Sequence, residues 1–567
     1  MNFTLNNPKK KALSSEEAKK TTVGLYLLDR LQELGVQDIF GVPGDYVLRF
    51  NKLIEEHSIR YVNATRENTA GYMADAYARL RGIGAVCITY GVGINIANAA
   101  AQAYVESSPL VIISGAAGTK EFEKCHALHH LINKSCTKRR DATQLAIFEQ
   151  LTAAQAVLKN PETAAKEIDR VLAVCLEESR PVYIEIPRDI VDLPIPQQRP
   201  HPPAPKKSDA ETLQEAVAES AALLQKCKRP VIWAGHEIQR FHLRRELLAF
   251  AEKFRIPIAS TLLGKTVISE RHPLFIGLYQ GAMSRDRVQE YVESADCLLL
   301  LGAMLNDVDT GFFTAKLDEG KCIAASSDGV AIRRHRFENV RFPDYMRALA
   351  SLESNIRFRN SFPANLDFPQ EKPRAEPKKK MTTERLARFI EKHLHPDQIL
   401  VSDFGDCLFS SCNFTLEEDS FFSSAYFSTL GFGIPAAVGA ALAQPKKRVL
   451  ALVGDGAFQM TCSELSTAVR YRLDPIIIVF NNRGYATERP IIEGEFNDIV
   501  NWNYSKLPEL LGGGVGLKTA TEEAFEAALQ NALETRGEPT VIEVELEKRD
   551  FSPELKKFLK LFSKSSR

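Results

Sequence analysis

No apolar run of about 18 residues or more occurs in the 567-residue chain, so no stretch reads as a membrane-spanning helix. Cysteine pairs at metal-ligand or redox spacing are also missing: the ten cysteines are scattered, with no C-x-x-C. That excludes a zinc ribbon and reads as a reduced, cytosolic set. Excess charge is absent as well. Lysines plus arginines number 72 and aspartates plus glutamates 72, so no global field draws the chain to nucleic acid or an anionic membrane. The first twenty residues, MNFTLNNPKKKALSSEEAKK, carry lysines without a following apolar core and read as a flexible arm, not an export signal. With no short-period repeat and no long low-complexity segment, the composition leaves a soluble enzyme with a small-molecule partner as the expectation.

What is present is a repeated alternation of helical and strand patterns. VGLYLLDRLQELG has helical spacing, DIFGV and AVCITYGVG read as strands, NAAAQAYVES as a helix and PLVIISG as a strand. Proline-rich, charged stretches at 195–211 and 359–380 read as linkers. The expected architecture is three doubly wound α/β domains, at 22–190, 210–355 and 381–567.

The most informative stretch is VLALVGDGAFQM at 449–460. Its unbroken apolar run reads as a strand covered on both faces, after which Gly454 and Gly456 are expected to allow a sharp turn and a close approach. Asp455 is then fixed at the carboxyl end of a buried strand, where open α/β sheets bind ligands. A helix-like MTCSELSTAVRYRL leads to a second buried strand, PIIIVF, and to NNRGYATERP. Residues 457–480 are enough for one helical crossover that returns to the same sheet, so Asp455 and Asn482 can meet. With the Gly484 carbonyl they form a hard oxygen set suited to Mg²⁺. Either turn alone reads as an ordinary βα turn, since Gly, Asn and Asp are common turn formers. A dinucleotide fingerprint fails on detail, because Gln459 and Ile96 stand where G-x-G-x-x-G requires glycine.

GDG, an interval, then NN, together with FGVPGDYVLRF, ENTAGYMADAYARLRG, HH, SRPVYIEIPRD, GDCLF and GFGIPAAVGAAL, resembles the thiamine-diphosphate-dependent 2-oxo acid decarboxylases. The likeness runs from about residue 22 to 557 and takes in the pyruvate, indolepyruvate and phenylpyruvate enzymes. It implies flanking pyrimidine-binding and diphosphate-binding domains around a central one. It also implies thiamine diphosphate and Mg²⁺ as cofactors, and decarboxylation through an ylide and an enamine. Glu67 would serve the pyrimidine ring, Leu430 would support the bent cofactor and the Ser428 carbonyl would accept from its amino group. Val92, Asp406, Gly456, Ala457 and Tyr485 complete the cofactor set. Asp45, His129, His130 and Glu488 would carry protons. The bland alternatives are a helix cap for Asp45, a solvated Glu488 paired with Arg489, and surface histidines. Adjacent histidines diverge on any regular element, so a two-histidine metal site is not expected.

Phe404, Leu408, Thr487 and Ile491 would wall the substrate pocket, with Thr487 smaller than the usual Ile or Val. The expected substrate is a bulky aromatic or branched-chain 2-oxo acid. Pyruvate decarboxylation, a carboligase and a catalytically silent homologue are the rivals. The resemblance further implies a homodimer as the minimal active unit, paired into a homotetramer, with the basic C-terminal tail covering the site.

Overall fold

The computed structural model describes residues 21–124, 127–132, 142–196, 203–353, 356, 358 and 372–565; the N-terminal arm and much of both linkers lie outside them. The first sheet holds β1 (Asp38–Gly41), β2 (Arg60–Asn63), β3 (Gly84–Ile88), β4 (Leu110–Ala116), β5 (Ala154–Val157) and β6 (Val182–Pro187). Its order is β2-β1-β3-β4-β6-β5 and every pairing is parallel. The middle sheet holds β7 (Pro230–Ala234), β8 (Ile258–Ser260), β9 (Phe275–Leu278), β10 (Cys297–Leu301), β11 (Cys322–Ser326), β12 (Gly329–Ile332) and β13 (His335–Phe337). Its order is β13-β12-β11-β10-β7-β8-β9, and the β12–β13 hairpin supplies an antiparallel edge. The third sheet holds β14 (Gln398–Ser402), β15 (Phe421–Ser423), β16 (Arg448–Gly454), β17 (Ile476–Asn481), β18 (Val515–Thr519) and β19 (Thr540–Glu545), in the order β15-β14-β16-β17-β19-β18.

Counted within each unit, the first and third sheets share one order, 2-1-3-4-6-5, and both are wholly parallel. The chain therefore builds one architecture twice, although no repeat is visible in its residues. Both sheets change direction between their first and third strands, and loops at the carboxyl ends there are where such folds take ligands.

The two equivalent units also share a core. Helix Gly433–Ala443, GIPAAVGAALA, is buried on every side, as an apolar helix without a polar face must be. It packs on helix Glu67–Arg81 so closely that a Cβ on Gly439 would lie 2.2 Å from the Met73 carbonyl oxygen. Tyr72 meets Phe432 edge to face at 5.9 Å. Helix Glu67–Arg81 ends on Gly82 at φ 85, the left-handed cap glycine accepts without strain.

One local expectation needs correction. MTCSELSTAVRYRL is not a single helix: helix Asp455–Thr461 gives way to a tight turn at Cys462–Glu464 before helix Leu465–Arg470. The turn aims the fully buried Glu464 carboxylate at the neighbouring unit, where Thr65 Oγ1 donates to it at 2.6 Å. A long-range hydrogen bond outweighs local helical propensity here.

Candidate functional site

Every candidate residue lies on the segments, loops or the helices they open, that follow the first four strands of the two equivalent sheets. Asp45 follows β1, Glu67 follows β2, Val92 follows β3, and the two histidines lie beyond β4. In the third unit Phe404, Asp406 and Leu408 follow β14, Ser428 and Leu430 follow β15, Asp455 to Ala457 follow β16, and Asn482 to Ile491 follow β17.

Asp455 opens helix Asp455–Thr461 and is 1% exposed. Its Oδ1 accepts from the Gly456 N–H at 2.8 Å, and Oδ2 accepts from Arg483 N–H at 2.5 Å and Gly484 N–H at 3.2 Å. The two turns are thus joined directly. Burial pushes the Asp455 carboxyl up to about 6 in spite of these bonds, which leaves a carboxylate that a cation would relieve. Beside it, Asn482 Oδ1 is buried with no hydrogen-bond partner among the described residues. A buried amide oxygen without a donor is costly unless something else binds it, and with the carboxylate it makes an oxygen set that fits Mg²⁺.

Of the two expectations for the glycines, the sharp turn fails and the close approach holds at Gly456 alone. Neither Gly454 nor Gly456 adopts a left-handed φ, so no sharp turn is needed from them. Gly456 is required for room, since a Cβ there would lie 2.7 Å from the Tyr485 ring. The strained backbone falls in the second turn instead, with Arg483 at φ 65 and Gly484 at φ 149. A Cβ on Gly484 would lie 1.9 Å from the Asn497 carbonyl oxygen, so only glycine fits. The Arg483 side chain is exposed. Arg489, not foreseen as part of the site, braces the turn by donating to the Arg483 carbonyl at 3.2 Å. It pairs with Glu493 and Asp498, leaving Glu488 exposed with no side-chain partner among the described residues.

In the first unit Asp45 Oδ2 and His129 Nε2 lie 2.9 Å apart, and His130 joins them. The histidines sit on a turn, with His130 at φ 67, so the rule that neighbours diverge on a regular element does not apply. Glu67, half-buried at the start of its helix, accepts from Asn95 Nδ2 at 2.9 Å. Val92 is 49% exposed at the head of a short 3₁₀ turn.

Ser428 is held at φ 59, and Leu430 is partly buried against the shared core. Two carboxylates that sequence reasoning missed position this segment. Glu106, fully buried, accepts from the N–H groups of both Tyr426 and Phe427 at 2.9 Å. Asp403, at the end of β14, accepts from Gly431 N–H at 3.1 Å and Gly433 N–H at 2.9 Å. No local pattern marks either one, because each acts on residues distant in the chain.

Burial pushes the Asp403 carboxyl up to about 7. A folded value above the unfolded one means that folding disfavours the ionised form. Its contribution to stability is therefore greatest near the unfolded range and declines as pH climbs through about 7. The stability advantage of wild type over Asp403→Asn should narrow by up to about 1.4 kcal/mol per unit between about pH 5 and pH 7. Urea unfolding of cofactor-free protein measures it, and a gap independent of pH would refute it.

Asp406 is buried and bound to Ser552, whose N–H donates at 3.0 Å and whose Oγ–H also donates. It thereby anchors the start of helix Pro553–Ser565. Phe558 of that helix packs against Phe409 at a tilt, with ring centroids 4.5 Å apart, and Phe409 meets Phe404 at 5.9 Å. Leu408 is wholly buried behind the turn, Ile491 is 42% exposed and Thr487 is intermediate. A cavity of about 820 Å³ lies elsewhere, between the middle unit at the ends of β10 and β11 and Glu177, Glu178 and Arg180 of the first unit, and none of the candidate residues line it.

Comparison with known proteins identifies the class. Residues 21–138, 217–351 and 403–544 match, in turn, the N-terminal TPP binding domain, the central domain and the C-terminal TPP binding domain of thiamine pyrophosphate enzymes. The chain is 33% identical over 546 residues to the indole-3-pyruvate decarboxylase of Azospirillum brasilense, covering 94% of this chain and 97% of that one. It is 35% identical to an alpha-keto-acid decarboxylase of Mycobacterium tuberculosis (93% and 94% covered) and 32% identical to pyruvate decarboxylase 3 of Arabidopsis thaliana (94% and 92%). The chain belongs to the thiamine-diphosphate-dependent 2-oxo acid decarboxylases: it is a carboxy-lyase that releases CO₂ from a 2-oxo acid. Among the described residues no helix is long and apolar enough to cross a membrane.

Proposed function

We propose that the physiological substrate is a bulky 2-oxo acid, aromatic or branched-chain, which the enzyme converts to the corresponding aldehyde. The observation that carries this reading is the space beside Gly405: a Cβ built there meets nothing nearer than Thr487 Oγ1, at 3.9 Å. Phe404 is next to that space, only partly buried, with a ring face suited to an aromatic side chain. Thiamine diphosphate, when bound, supplies the carbon nucleophile and the electron sink for decarboxylation. Asp455, Asn482 and the Gly484 carbonyl would hold its Mg²⁺, and Gly456, Ala457 and Tyr485 would bind the diphosphate. Glu67 would hydrogen-bond the pyrimidine ring, the Ser428 carbonyl would accept from its amino group, Leu430 would support the cofactor and Val92 would complete the set. Asp45, His129, His130 and Glu488 hold and deliver protons for release of the aldehyde. Asp406 contributes indirectly, by tying the β14 turn to the C-terminal helix.

The working unit of this proposal is a homodimer, with dimers paired into a tetramer in the cytosol. Apolar side chains exposed beside the metal turns support it: Met460, Ile491, Ile492, Phe496, Val500 and Trp502. A second copy covering them would bring the first unit of one chain to the third unit of another. Aldehyde release coupled to alcohol dehydrogenase, over a panel of 2-oxo acids, tests the substrate. Phenylpyruvate, indolepyruvate or a branched-chain acid should give a higher kcat/KM than pyruvate. Thr487→Ile should lower it for the bulky acids by about 10-fold or more, the scale of one or two methylenes in a pocket, and affect pyruvate less. A preference for pyruvate in wild type would overturn the reading.

A further inference from the structure

Asp45, His129 and His130 offer one ligand atom each, all within 4.8 Å of one another. The arrangement is built rather than incidental. A Cβ on Gly91 would lie 2.3 Å from the His130 carbonyl oxygen, so the chain passes close to the turn that holds His130 at φ 67. The His129 ring stacks on Tyr46, with centroids 5.2 Å apart at 13°, and Tyr46 O–H donates to the His129 carbonyl at 2.9 Å. Both imidazoles are thereby kept on one side, with centroids 4.6 Å apart.

We propose that these three residues form a second cation site, selective for a borderline-soft divalent ion such as Zn²⁺, and that its occupation arrests turnover. Tetrahedral zinc, with bonds of about 2.0–2.1 Å, separates its ligand atoms by roughly 3.3–3.4 Å, which small side-chain rotations reach from the present spacing. The ion takes the place of the hydrogen between His129 Nε2 and Asp45 Oδ2, and the neutral imidazole carries its one proton on Nδ1 instead. Two nitrogens and one carboxylate oxygen leave a fourth position open for water. Donor chemistry then sorts the two cations. Mg²⁺ keeps to the oxygen set at Asp455 and Asn482, and Zn²⁺ takes the imidazoles. A metal on these nitrogens uses the lone pairs that would carry protons. The arrest therefore rests on the role proposed above for the same residues, whereas the binding does not.

The test uses enzyme loaded with thiamine diphosphate and Mg²⁺. Equilibrium dialysis should find one Zn²⁺ per chain with Mg²⁺ retained, and Co²⁺ at the same site should give the strong visible band of a four-coordinate ion. His130→Ala and Asp45→Asn, each shown by circular dichroism and cofactor content to be folded, should weaken Zn²⁺ binding by at least about 100-fold. Unchanged binding in both variants, or Zn²⁺ taken up only as Mg²⁺ is lost, would overturn the site. Zn²⁺ should also stop aldehyde release, with recovery after a chelator and fresh Mg²⁺. Binding with undiminished turnover would overturn the arrest and the proton-carrying role together while leaving the metal site standing.

Discussion

Asp455→Ala will emerge from gel filtration without thiamine diphosphate even when Mg²⁺ and cofactor are supplied, and its decarboxylase rate will fall by at least about 100-fold. In the proposed metal site the substitution would leave only neutral oxygens, from Asn482 and the Gly484 backbone, to face a doubly charged ion. It also strips Arg483 N–H and Gly484 N–H of their shared acceptor. Each buried donor left without a partner costs about 1–3 kcal/mol, so the substitution removes the support of the second turn's left-handed geometry as well as the charge of Asp455. Asp455→Asn separates the two effects, because an amide oxygen standing where Oδ2 stands can still accept both of those bonds while the charge is gone. It should fold like wild type and still fail to retain cofactor. Full cofactor content and rate in Asp455→Ala would mean that the two turns do not hold the diphosphate.

Glu106→Ala will have the second large effect, on stability and on the cofactor pocket at once. Glu106 sits where the three units meet. Its Oε1 holds the Tyr426 and Phe427 N–H groups of the third unit, and its Oε2 accepts from Arg79 Nη2 at 2.7 Å. Arg79 also pairs with Asp75 at 2.9 Å and donates to the Ser423 carbonyl. From the middle unit, Arg240 reaches the Glu106 backbone, and His236, buried and held neutral by desolvation, lies 3.4 Å from Ser107 Oγ. Breaking such a buried charge pair by removing one member costs about 3–5 kcal/mol. The urea midpoint should fall accordingly. The cofactor concentration for half-activation should rise, because Tyr426 and Phe427 lead directly into Ser428 and Leu430. Glu106→Gln should recover much of the stability and only some of the cofactor affinity. Unchanged values of both quantities in Glu106→Ala would refute the argument.

The three-unit α/β organisation was legible from residues alone because parallel strands buried on both faces give unbroken apolar runs, as in LVIISGA, RVLALVG and IIIVFN. The turn residues Asp455 and Asn482 were legible for the same reason: each stands at the end of such a run. The kinked passage after Thr461 was not legible, since Glu464 answers to Thr65, nearly four hundred residues away. That the two histidine rings come together was not legible for a related cause. Ring direction follows backbone φ, and the left-handed φ of His130 belongs to a tertiary packing contact with Gly91.

The sequence by itself determined where apolar strands end, which polar residues stand at those ends, and the donor chemistry they bring. Only the tertiary structure decided that the first and third sheets repeat one strand order, that Asn482 is left with a buried oxygen in need of a ligand, and that Glu106 and Asp403 shape the loop after β15. The physical reason is range. Burial patterns and turn chemistry are written in neighbouring residues, while hydrogen-bond satisfaction is settled between groups that meet only once the chain has packed.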